Sequence, residues 1–321
     1  GKIQAFHSSQ RSVNCIVNGG LGLQIALRAL GIRGEVITTP FTYVATASCP
    51  LWDGCQVRFA DIEGDYLTLC PDAVEAAITP QTEAILGVHI FGNPCDHTRL
   101  QQIADRHGIA LLYDAAQAFG VRYQGKSILD YGDATVLSLH ATKVFHAVEG
   151  GAFTFKDPKI AEKGEWMRRY GHNGFHEFHG IGINAKMSEL HAAMGLAVLP
   201  HLDRVYHARK AIIDQYNSAF ADYDEIKFLT NDKLEKVAVG YAPLIFSSES
   251  RLLSCMQALQ QKKIFPRRYF NSNLNTLTEV ALGDLPVYHD LRRRILSLPI
   301  NLEFGVGPVI DIMKSRCLNV V

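Results

Sequence analysis

Short β-branched runs alternate with helical stretches from residue 14 to about 155. The predicted strands are Asn14–Val17, Glu35–Thr39, Ala84–Ile90, Ile109–Tyr113 and Ala134–Leu139, and the predicted helices are Leu21–Leu30, Asp72–Ile78 and Thr98–His107. This alternation is typical of a parallel sheet with crossover helices. In such sheets ligands bind at the carboxyl ends of the strands, so we expect the functional residues there.

The pattern changes beyond this region. Residues Gly171–Gly182 are rich in Gly, His, Asn and Phe, which predicts a surface loop that is mobile or joins a partner. A long amphipathic helix is predicted at Asp203–Tyr223, and alternating segments with a helix at Ser250–Gln260 follow it. We therefore predict an α/β protein with a large, mostly parallel-sheet domain over residues 1–205 and a smaller α+β domain over residues 206–321.

Composition and charge exclude several classes of protein. Of the 321 residues, 47% are hydrophobic and 20% are charged, proportions that exclude a disordered chain. The 32 basic side chains balance the 32 acidic ones, so no basic surface is indicated for nucleic acid or for an anionic membrane. We expect neither of them as a partner.

The cysteines indicate neither a metal site nor a disulfide framework. None of them forms a C-x-x-C pair, and we expect no bound metal. Reduced, mostly buried thiols are expected instead, which favours the cytoplasm. The sequence has no apolar run of the roughly 20 residues that span a bilayer, and no secretion signal pattern. Because the chain opens at Gly1 rather than Met, we expect a processed or trimmed start.

Two polar residues follow predicted strands. Lys143 closes the segment Ser138–Lys143, which is otherwise short of charge, and a partly desolvated lysine can act as a nucleophile. Most lysines, however, are solvated surface groups. Asp114 ends an apolar strand, where a buried carboxylate needs a cation or hydrogen-bond donors. A protonated pyridine nitrogen is one such partner, and Gln117 could reach the same ring from the start of the following helix. The alternative role for Asp114 is that of a helix N-cap.

Two glycine turns border the predicted sheet. Asn18–Gly20 precedes a helix and offers an anion, such as a phosphate, backbone N–H groups and the positive end of the helix dipole. Glu149–Gly151 predicts a tight turn into a strand. Each of these features is common by itself, but their order along the chain is informative.

That order resembles the sugar aminotransferases of the DegT/DnrJ/EryC1/StrS family, within fold type I of the pyridoxal-phosphate (PLP) enzymes. The blocks that carry the resemblance are Thr39–Ala47, Tyr113–Ala118, Ser138–Lys143 with Glu149–Gly151, Gly182–Glu189 and Pro266–Phe270. The resemblance runs from Val17 to at least Pro299. It implies an aspartate aminotransferase-like fold and PLP, alternating with its pyridoxamine form (PMP), as the cofactor.

The resemblance implies a role for each matched residue. Lys143 is similar to the lysine that bonds covalently to the cofactor and moves a proton to and from the substrate carbon. Asp114 would keep the pyridine nitrogen protonated, with Gln117 supporting the ring. Tyr43 would stack on the ring, although a core tyrosine is the alternative. The implied phosphate contacts are Gly19, Gly20 and Ser138 and, from the neighbouring subunit of a dimer, Asn184.

The substrate contacts are less closely defined by the resemblance. The candidates are His140, Lys186, Arg267, Arg268 and Tyr269. Arginine suits bidentate recognition of a diphosphate and tyrosine suits stacking, whereas surface arginines beside a core tyrosine are the alternative. Gly20 stands where relatives usually carry Thr, so one hydroxyl contact to the phosphate is missing.

The blocks around Lys143 resemble members that act on 4-keto-6-deoxy sugars more than the 3-keto group. We expect amino transfer from L-glutamate to C4 of dTDP-4-keto-6-deoxy-D-glucose, a step of deoxyaminosugar and polysaccharide biosynthesis, by a homodimer with active sites shared between subunits. A dTDP-3-keto-6-deoxyhexose 3-aminotransferase and a catalytically silent PLP-binding regulatory protein are the alternatives. A PLP-dependent sugar dehydratase of this fold would carry His in place of Lys143.

Overall fold

The computed structural model describes residues 1–229, 234, 236–271, 274–277, 280–300 and 305–316. The strands are β1 (Asn14–Ile16), β2 (Glu35–Thr38), β3 (Gln56–Phe59), β4 (Thr82–Val88), β5 (Ala110–Asp114), β6 (Arg122–Tyr123), β7 (Lys126–Ser127), β8 (Ala134–Ser138), β9 (Gly151–Phe155), β10 (His172–Asn173), β11 (Glu177–Phe178), β12 (Ile226–Phe228), β13 (Pro243–Phe246), β14 (Arg267–Arg268), β15 (Val280–Leu282) and β16 (Ile295–Ser297). The helices are α1 (Lys2–His7), α2 (Gly19–Leu30), α3 (Ala45–Trp52), α4 (Pro71–Ala77), α5 (His97–His107), α6 (Pro158–Met167), α7 (Glu189–Val198), α8 (Leu202–Phe220), α9 (Glu249–Gln261), α10 (Pro286–Leu291) and α11 (Gly307–Arg316).

The larger sheet has eight strands in the order β1-β9-β8-β5-β4-β2-β3-β15. Every pair from β8 to β15 is parallel, whereas β9 pairs antiparallel with both β1 and β8. The predicted mostly parallel sheet is therefore confirmed. Its far edge comes from a distant part of the chain, since Val280 of β15 pairs with Val57 of β3.

Helix α2 shows how the local sequence positions the site. Asn18 caps the helix, and its Oδ1 accepts a hydrogen bond from the Leu21 backbone N–H at 2.8 Å. The buried side chains of Ile25 and Leu27 hold the opposite part of the helix in the core. Gly31, with φ 84°, ends the helix in the left-handed region, as the sequence predicted. The amino end of α2 is thereby fixed beside β8, which it packs against.

The predicted helix after Asp114 is wrong. Residues 115–120 form turns, with Ala118 donating its backbone N–H to the Ala115 carbonyl at 2.9 Å. The Asp114 side chain accepts the backbone N–H of Ala116 at 3.0 Å, a local contact that competes with helix formation. Gln117 consequently lies in a turn.

The smaller sheet has four antiparallel strands in the order β12-β13-β16-β14. Residues of α8, α9 and α11 share one core with it, including Tyr216, Leu252 and Met313. This mixed lobe agrees with the predicted α+β character of the C-terminal region. The predicted division of the chain at residue 205 falls inside α8, and it stays a prediction.

A shared cluster joins the two sheets. Phe41 and Phe59 from the large sheet side pack with Phe270, Tyr288 and Ile295 of the C-terminal region. Two shorter sheets, β6-β7 and β10-β11, are hairpins. None of the helices in the described part of the chain is long and apolar enough to cross a membrane.

Six cysteines lie among the described residues, and all six are free thiols. Cys317 lies outside the described residues. Within the same residues, His, Cys, Asp and Glu side chains form no group of three or more that could hold a metal ion.

Candidate active site

A cavity of about 890 Å³ lies at the carboxyl ends of the parallel strands. One wall comes from the large sheet: the start of α2, the end of β5 and the loop after β8. The opposite wall comes from α8 and from segments next to the small sheet. The lining includes Gly19, Asp114, Ser138 and Lys143 on the first wall and Arg209, Tyr241, Arg267 and Tyr269 on the second.

Asp114 is a buried carboxylate at the floor of this cavity, with 8% of its surface exposed. Its Oδ2 accepts a hydrogen bond from Thr46 Oγ1 at 2.9 Å, and its Oδ1 accepts the Ala116 backbone N–H. Burial raises the pKa of Asp114, while these two hydrogen bonds and the charge of Lys143 act in the opposite direction. A cationic group placed against Asp114 would therefore stabilise its ionised form.

Lys143 is half-buried in the same cavity. Burial lowers the pKa of its amine, and the charge of Asp114 acts to raise it. The loop that carries it is anchored by backbone hydrogen bonds, such as Lys143 N–H to the His140 carbonyl at 2.9 Å and Ala141 N–H to the Val148 carbonyl at 2.7 Å. A lysine held in this way has the reduced basicity that a nucleophilic amine requires.

The start of α2 and the end of β8 form a cradle for an anion. Gly19 and Gly20 occupy the first turn of α2, where backbone N–H groups lack helical partners. A Cβ on Gly19 would lie 3.3 Å from the Cβ of Ser138, so glycine leaves the cradle open to a ligand. At Gly20 a Cβ would lie 3.4 Å from both Asn18 Oδ1 and Cys49 Sγ. The N–H groups and the Ser138 hydroxyl fit a phosphate.

Substituting Gly151, which supports this cradle from β9, is expected to weaken cofactor binding and stability together. A Cβ there would lie 2.7 Å from the Asn18 carbonyl carbon and from the Gly19 nitrogen, both backbone atoms. Because the backbone must shift, Gly151→Ala should cost roughly 1–3 kcal/mol, as overpacking does. PLP titration and denaturant unfolding measure the two effects. Gly64→Ala is the matched control, since no atom lies within 4 Å of its Cβ position, and equal behaviour of the two variants would contradict the expectation.

Most of the residues selected from the sequence meet in this cavity. They are Gly19, Gly20, Tyr43, Asp114, Gln117, Ser138, His140, Lys143, Arg267 and Tyr269. Tyr43 is 66% exposed, so its interpretation as a core tyrosine is wrong. The Gln117 side-chain oxygen accepts the Phe91 backbone N–H at 2.5 Å, which holds this amide at the cavity wall.

Three selected residues are not part of the cavity. Asn184 and Lys186 are exposed and contact each other, with Lys186 Nζ donating to Asn184 Oδ1 at 2.8 Å. Arg268 forms an ion pair with Glu249 and donates to the Arg293 carbonyl at 2.8 Å. Its guanidinium is therefore already occupied within the protein, unlike that of its neighbour Arg267, which lines the cavity.

His140 lies beside Lys143 and is held by neighbours from its own loop. Its Nδ1 is 2.9 Å from Thr142 Oγ1, and its Nε2 is 3.6 Å from Glu149 Oε1. The imidazole is exposed to the cavity, where a substrate hydroxyl or carbonyl could reach it.

Sequence reasoning missed three residues of the site. Thr46 lay inside a recognised block, and its spacing of four from Thr42, whose hydroxyl it contacts at 2.8 Å, was a usable signal. Arg209 and Tyr241 carried no such signal, because an arginine on an amphipathic helix and an isolated tyrosine are ordinary surface and core residues.

The site combines a buried carboxylate, a half-buried amine and an anion cradle in one cavity. A phosphorylated aromatic cation that carries a carbonyl group matches all three: its ring nitrogen the carboxylate, its carbonyl carbon the amine and its phosphate the cradle. The residues present therefore fit PLP.

Comparison with known proteins agrees with this geometry. A family model described as the DegT/DnrJ/EryC1/StrS aminotransferase family matches residues 1–315. A dTDP-4-amino-4,6-dideoxy-D-glucose transaminase from Shigella dysenteriae is 36% identical over 294 residues, which is 90% of this chain and 80% of the relative. The protein of that name from Escherichia coli is 32% identical over 306 residues, or 92% of this chain and 82% of the relative.

Solved structures give the same result. A crystal structure of DesI in the presence of its TDP-sugar product superimposes with a TM-score of 0.89 at 32% sequence identity. It covers 97% of this chain and 82% of the DesI chain.

Proposed function

Because the chain belongs to the DegT/DnrJ/EryC1/StrS aminotransferase family, we propose that it transfers an amino group from L-glutamate to C4 of dTDP-4-keto-6-deoxy-D-glucose. The product is a dTDP-4-amino-4,6-dideoxy sugar. The observation that carries the proposal is the presence of buried Asp114 and half-buried Lys143 in one large cavity. The named relatives support dTDP and C4, since two of them are dTDP-4-amino-4,6-dideoxy-D-glucose transaminases.

In this proposal each wall residue has one task. PLP supplies the electron sink that stabilises negative charge on the carbon bearing the amine. Asp114 holds a proton on the ring nitrogen, since its buried carboxylate favours a positive partner. Lys143 Nζ accepts the proton from the substrate carbon and returns it, which requires the neutral amine that burial favours.

The remaining contacts bind and orient the cofactor. Gly19 and Gly20 donate backbone N–H groups to the phosphate, and the Ser138 hydroxyl donates beside them. Tyr43 and Gln117 line the cavity, where Tyr43 would stack on the ring of the cofactor and the Gln117 amide would support it.

The two substrates use this one cavity in turn. With PLP as the carrier, the amine of L-glutamate would pass to the sugar ketone, and the donor would leave as 2-oxoglutarate. Nothing else is consumed, so nitrogen and electrons balance over the two half-reactions.

The test separates the half-reactions. PLP-loaded protein is converted to its PMP form with L-glutamate, and recovery of the yellow absorbance is followed after addition of matched dTDP-4-keto and dTDP-3-keto sugars. Recovery with the 4-keto sugar alone is expected. Recovery only with the 3-keto sugar would retain the chemistry and overturn the C4 assignment, and no reaction with L-glutamate would overturn the donor.

We also propose that the active enzyme is a homodimer whose subunits complete each other's sites. Exposed apolar side chains are concentrated between residues 175 and 196: Phe175, Phe178, Ile181, Ile183, Leu190, Met194 and Leu196. So much exposed apolar surface in one segment marks an interaction surface. Asn184 and Lys186 lie within this segment and outside their own subunit's cavity, so they are free to reach the phosphate and substrate of a partner.

Introducing charge into this surface is expected to separate the subunits. Leu190, 83% exposed on α7, would carry an unpaired carboxylate into the interface in the variant Leu190→Asp. Sedimentation velocity should show monomers for this variant and dimers for the unaltered protein. Leu253→Asp, on the exposed side of α9, is the control and should stay dimeric. An unaltered protein that sediments as a monomer would overturn the dimer proposal.

A further inference from the structure

One half-buried guanidinium on the cavity wall has no counter-charge among the residues that the structure describes. Arg209, in the first half of α8, is half-buried and lines the cavity. Within the part of the chain that the structure describes, it makes no hydrogen bond and no ion pair. Burial lowers the pKa of this guanidinium, which shows that its environment disfavours an unpaired charge.

Two other basic side chains of the same lobe are neutralised within the protein. Lys210, the next residue on α8, pairs with Asp214 at 2.6 Å, and Arg268 pairs with Glu249. A half-buried cation without a partner costs folding free energy that an anion bound from solution would recover. The position of Arg209 on the cavity wall makes a substrate the natural source of that anion.

Two anionic groups enter the cavity under the proposed function, namely a carboxylate of the amino donor and the diphosphate of the sugar nucleotide. Their distances from the reacting carbon differ. The α-carboxylate of L-glutamate is bonded to that carbon, whereas the diphosphate is attached at C1, across the sugar ring from C4. A carboxylate therefore needs a cation deep in the site, and a diphosphate needs one near the mouth.

Two arginines line this wall, Arg267 and Arg209, and neither forms an ion pair with another described residue. Arg267 is exposed on β14, whereas Arg209 is half-buried on α8. Both arginines lie near Tyr241: burial raises the pKa of its phenol, and the charges of Arg267 and Arg209 act in the opposite direction. What separates the two is exposure, and by that measure Arg209 is the more deeply placed arginine of the cavity wall.

We propose that Arg209 is a specificity residue for the amino donor, which it recognises by binding a carboxylate of L-glutamate through its planar guanidinium. This inference rests on the proposed function and extends it to a residue that binds the donor. The geometry of guanidinium suits the two oxygens of a carboxylate, so Lys is a poor replacement. In this assignment, Arg267 binds the diphosphate of the sugar nucleotide.

The experiment compares Arg209→Gln and Arg209→Lys with the unaltered PLP-loaded enzyme in each half-reaction. Arg209→Gln is expected to raise the KM for L-glutamate by about ten- to a hundredfold, the usual effect of losing a charged hydrogen-bond pair. Arg209→Lys should show a smaller increase. The sugar half-reaction should stay within about twofold of the unaltered enzyme, because its diphosphate binds elsewhere. Arg204→Gln, an exposed arginine of the same helix, is the control for a change in surface charge.

A binding measurement accompanies the kinetics. Glutarate has both carboxylates of the donor but no amine, so its calorimetric titration reports binding without reaction. Arg209→Gln should weaken glutarate binding by a factor similar to the rise in KM. Retained circular dichroism would show that the variant is folded.

Each other outcome overturns a separate statement. A loss confined to the sugar half-reaction would assign Arg209 to the diphosphate, and unchanged kinetics in both would remove it from substrate binding. If the unaltered enzyme does not react with L-glutamate, the proposed donor is wrong, and the glutarate titration decides alone. Equal glutarate binding by both proteins would then overturn the carboxylate site too.

Discussion

Lys143→Ala is expected to abolish transamination, with a loss in turnover of at least about 10⁴-fold, the upper range for removal of a positioned acid–base group. The variant loses both the amine that bonds to the cofactor and the base that moves the substrate proton. No other lysine lines the cavity among the described residues, so no neighbour can take over. The measurement is the L-glutamate half-reaction at saturating PLP.

The covalent bond gives a second readout for Lys143. Borohydride treatment of the PLP-loaded protein, followed by peptide mass spectrometry, should place the cofactor mass on Lys143 and on no other lysine. The variant should still bind PLP without a covalent bond, because the phosphate cradle and Asp114 are unchanged. Its absorbance should be that of the free aldehyde.

Two control variants separate the role of the amine from that of charge. Lys143→Arg keeps the positive charge opposite Asp114 but cannot supply a neutral amine near pH 7, so it should be as inactive as the Ala variant. Lys159→Ala, at an exposed position on α6, should keep full activity. If Lys143→Arg were nearly as active as the unaltered enzyme, positive charge alone would be sufficient. That result would contradict the role of Lys143 as a neutral amine.

Asp114→Asn is expected to lower turnover by about 10³-fold while leaving most of the cofactor affinity, since it removes the charge that stabilises a protonated ring nitrogen. The side chain keeps an acceptor oxygen for Thr46 or Ala116, so the local turn should survive. Half-reaction rates with L-glutamate and PLP titration measure the two effects. Equal losses in rate and in affinity would contradict this role.

Thr46→Val provides the matched comparison. It deletes the hydroxyl that donates to Asp114 Oδ2 but keeps the carboxylate. A hydrogen bond to a charged group stabilises that group by about 1.5–3 kcal/mol, which Thr46→Val removes. Because the carboxylate itself remains, turnover should decrease less than in Asp114→Asn.

Asp114→Asn should raise the stability of the cofactor-free protein, although it lowers turnover. Burial raises the pKa of Asp114 in the folded protein above its unfolded value. The ionised carboxylate therefore favours unfolding, and the penalty grows as pH rises through the folded pKa. Apo Asp114→Asn should melt above the unaltered apoprotein at pH 8, and the gap should close as pH falls below that pKa.

The stability cost of the Asp114 charge in the apoprotein affects how strongly the cofactor stabilises the fold. The apoprotein bears the cost of a buried negative charge, which a bound cofactor offsets with its positive ring nitrogen. Cofactor binding should therefore stabilise the unaltered protein more than the Asn variant, which differential scanning of apo and loaded forms would measure.

The sequence by itself determined most strands of the large sheet and most of the first wall of the site. β-Branched runs, glycine stops such as Gly31 and Gly108, and the position of Asp114 after an apolar strand are local features, and the structure reproduces the elements they predicted. Lys143 was marked by its place after a strand in a segment short of charge. These signals persist because strand and helix periodicity and caps depend on neighbouring residues.

The turn after Asp114 shows where local reasoning failed. The side chain of Asp114 accepts the Ala116 N–H, and this contact replaces the predicted helix with a turn. An aspartate side chain can accept a following backbone N–H either as a helix N-cap or in a turn. The sequence alone therefore leaves the choice between helix and turn open.

Only the tertiary structure decided the second wall. Arg267 and Arg268 are consecutive residues of one strand, so their side chains point to opposite faces. The pairing of β14 with β16 therefore places Arg267 at the cavity, and Arg268 forms an ion pair with Glu249 on the other face. Arg209 reaches the site from α8, which packs into the core of the small sheet far along the chain from Lys143. Such contacts depend on how distant elements pack, and a pattern of neighbouring residues does not encode that packing.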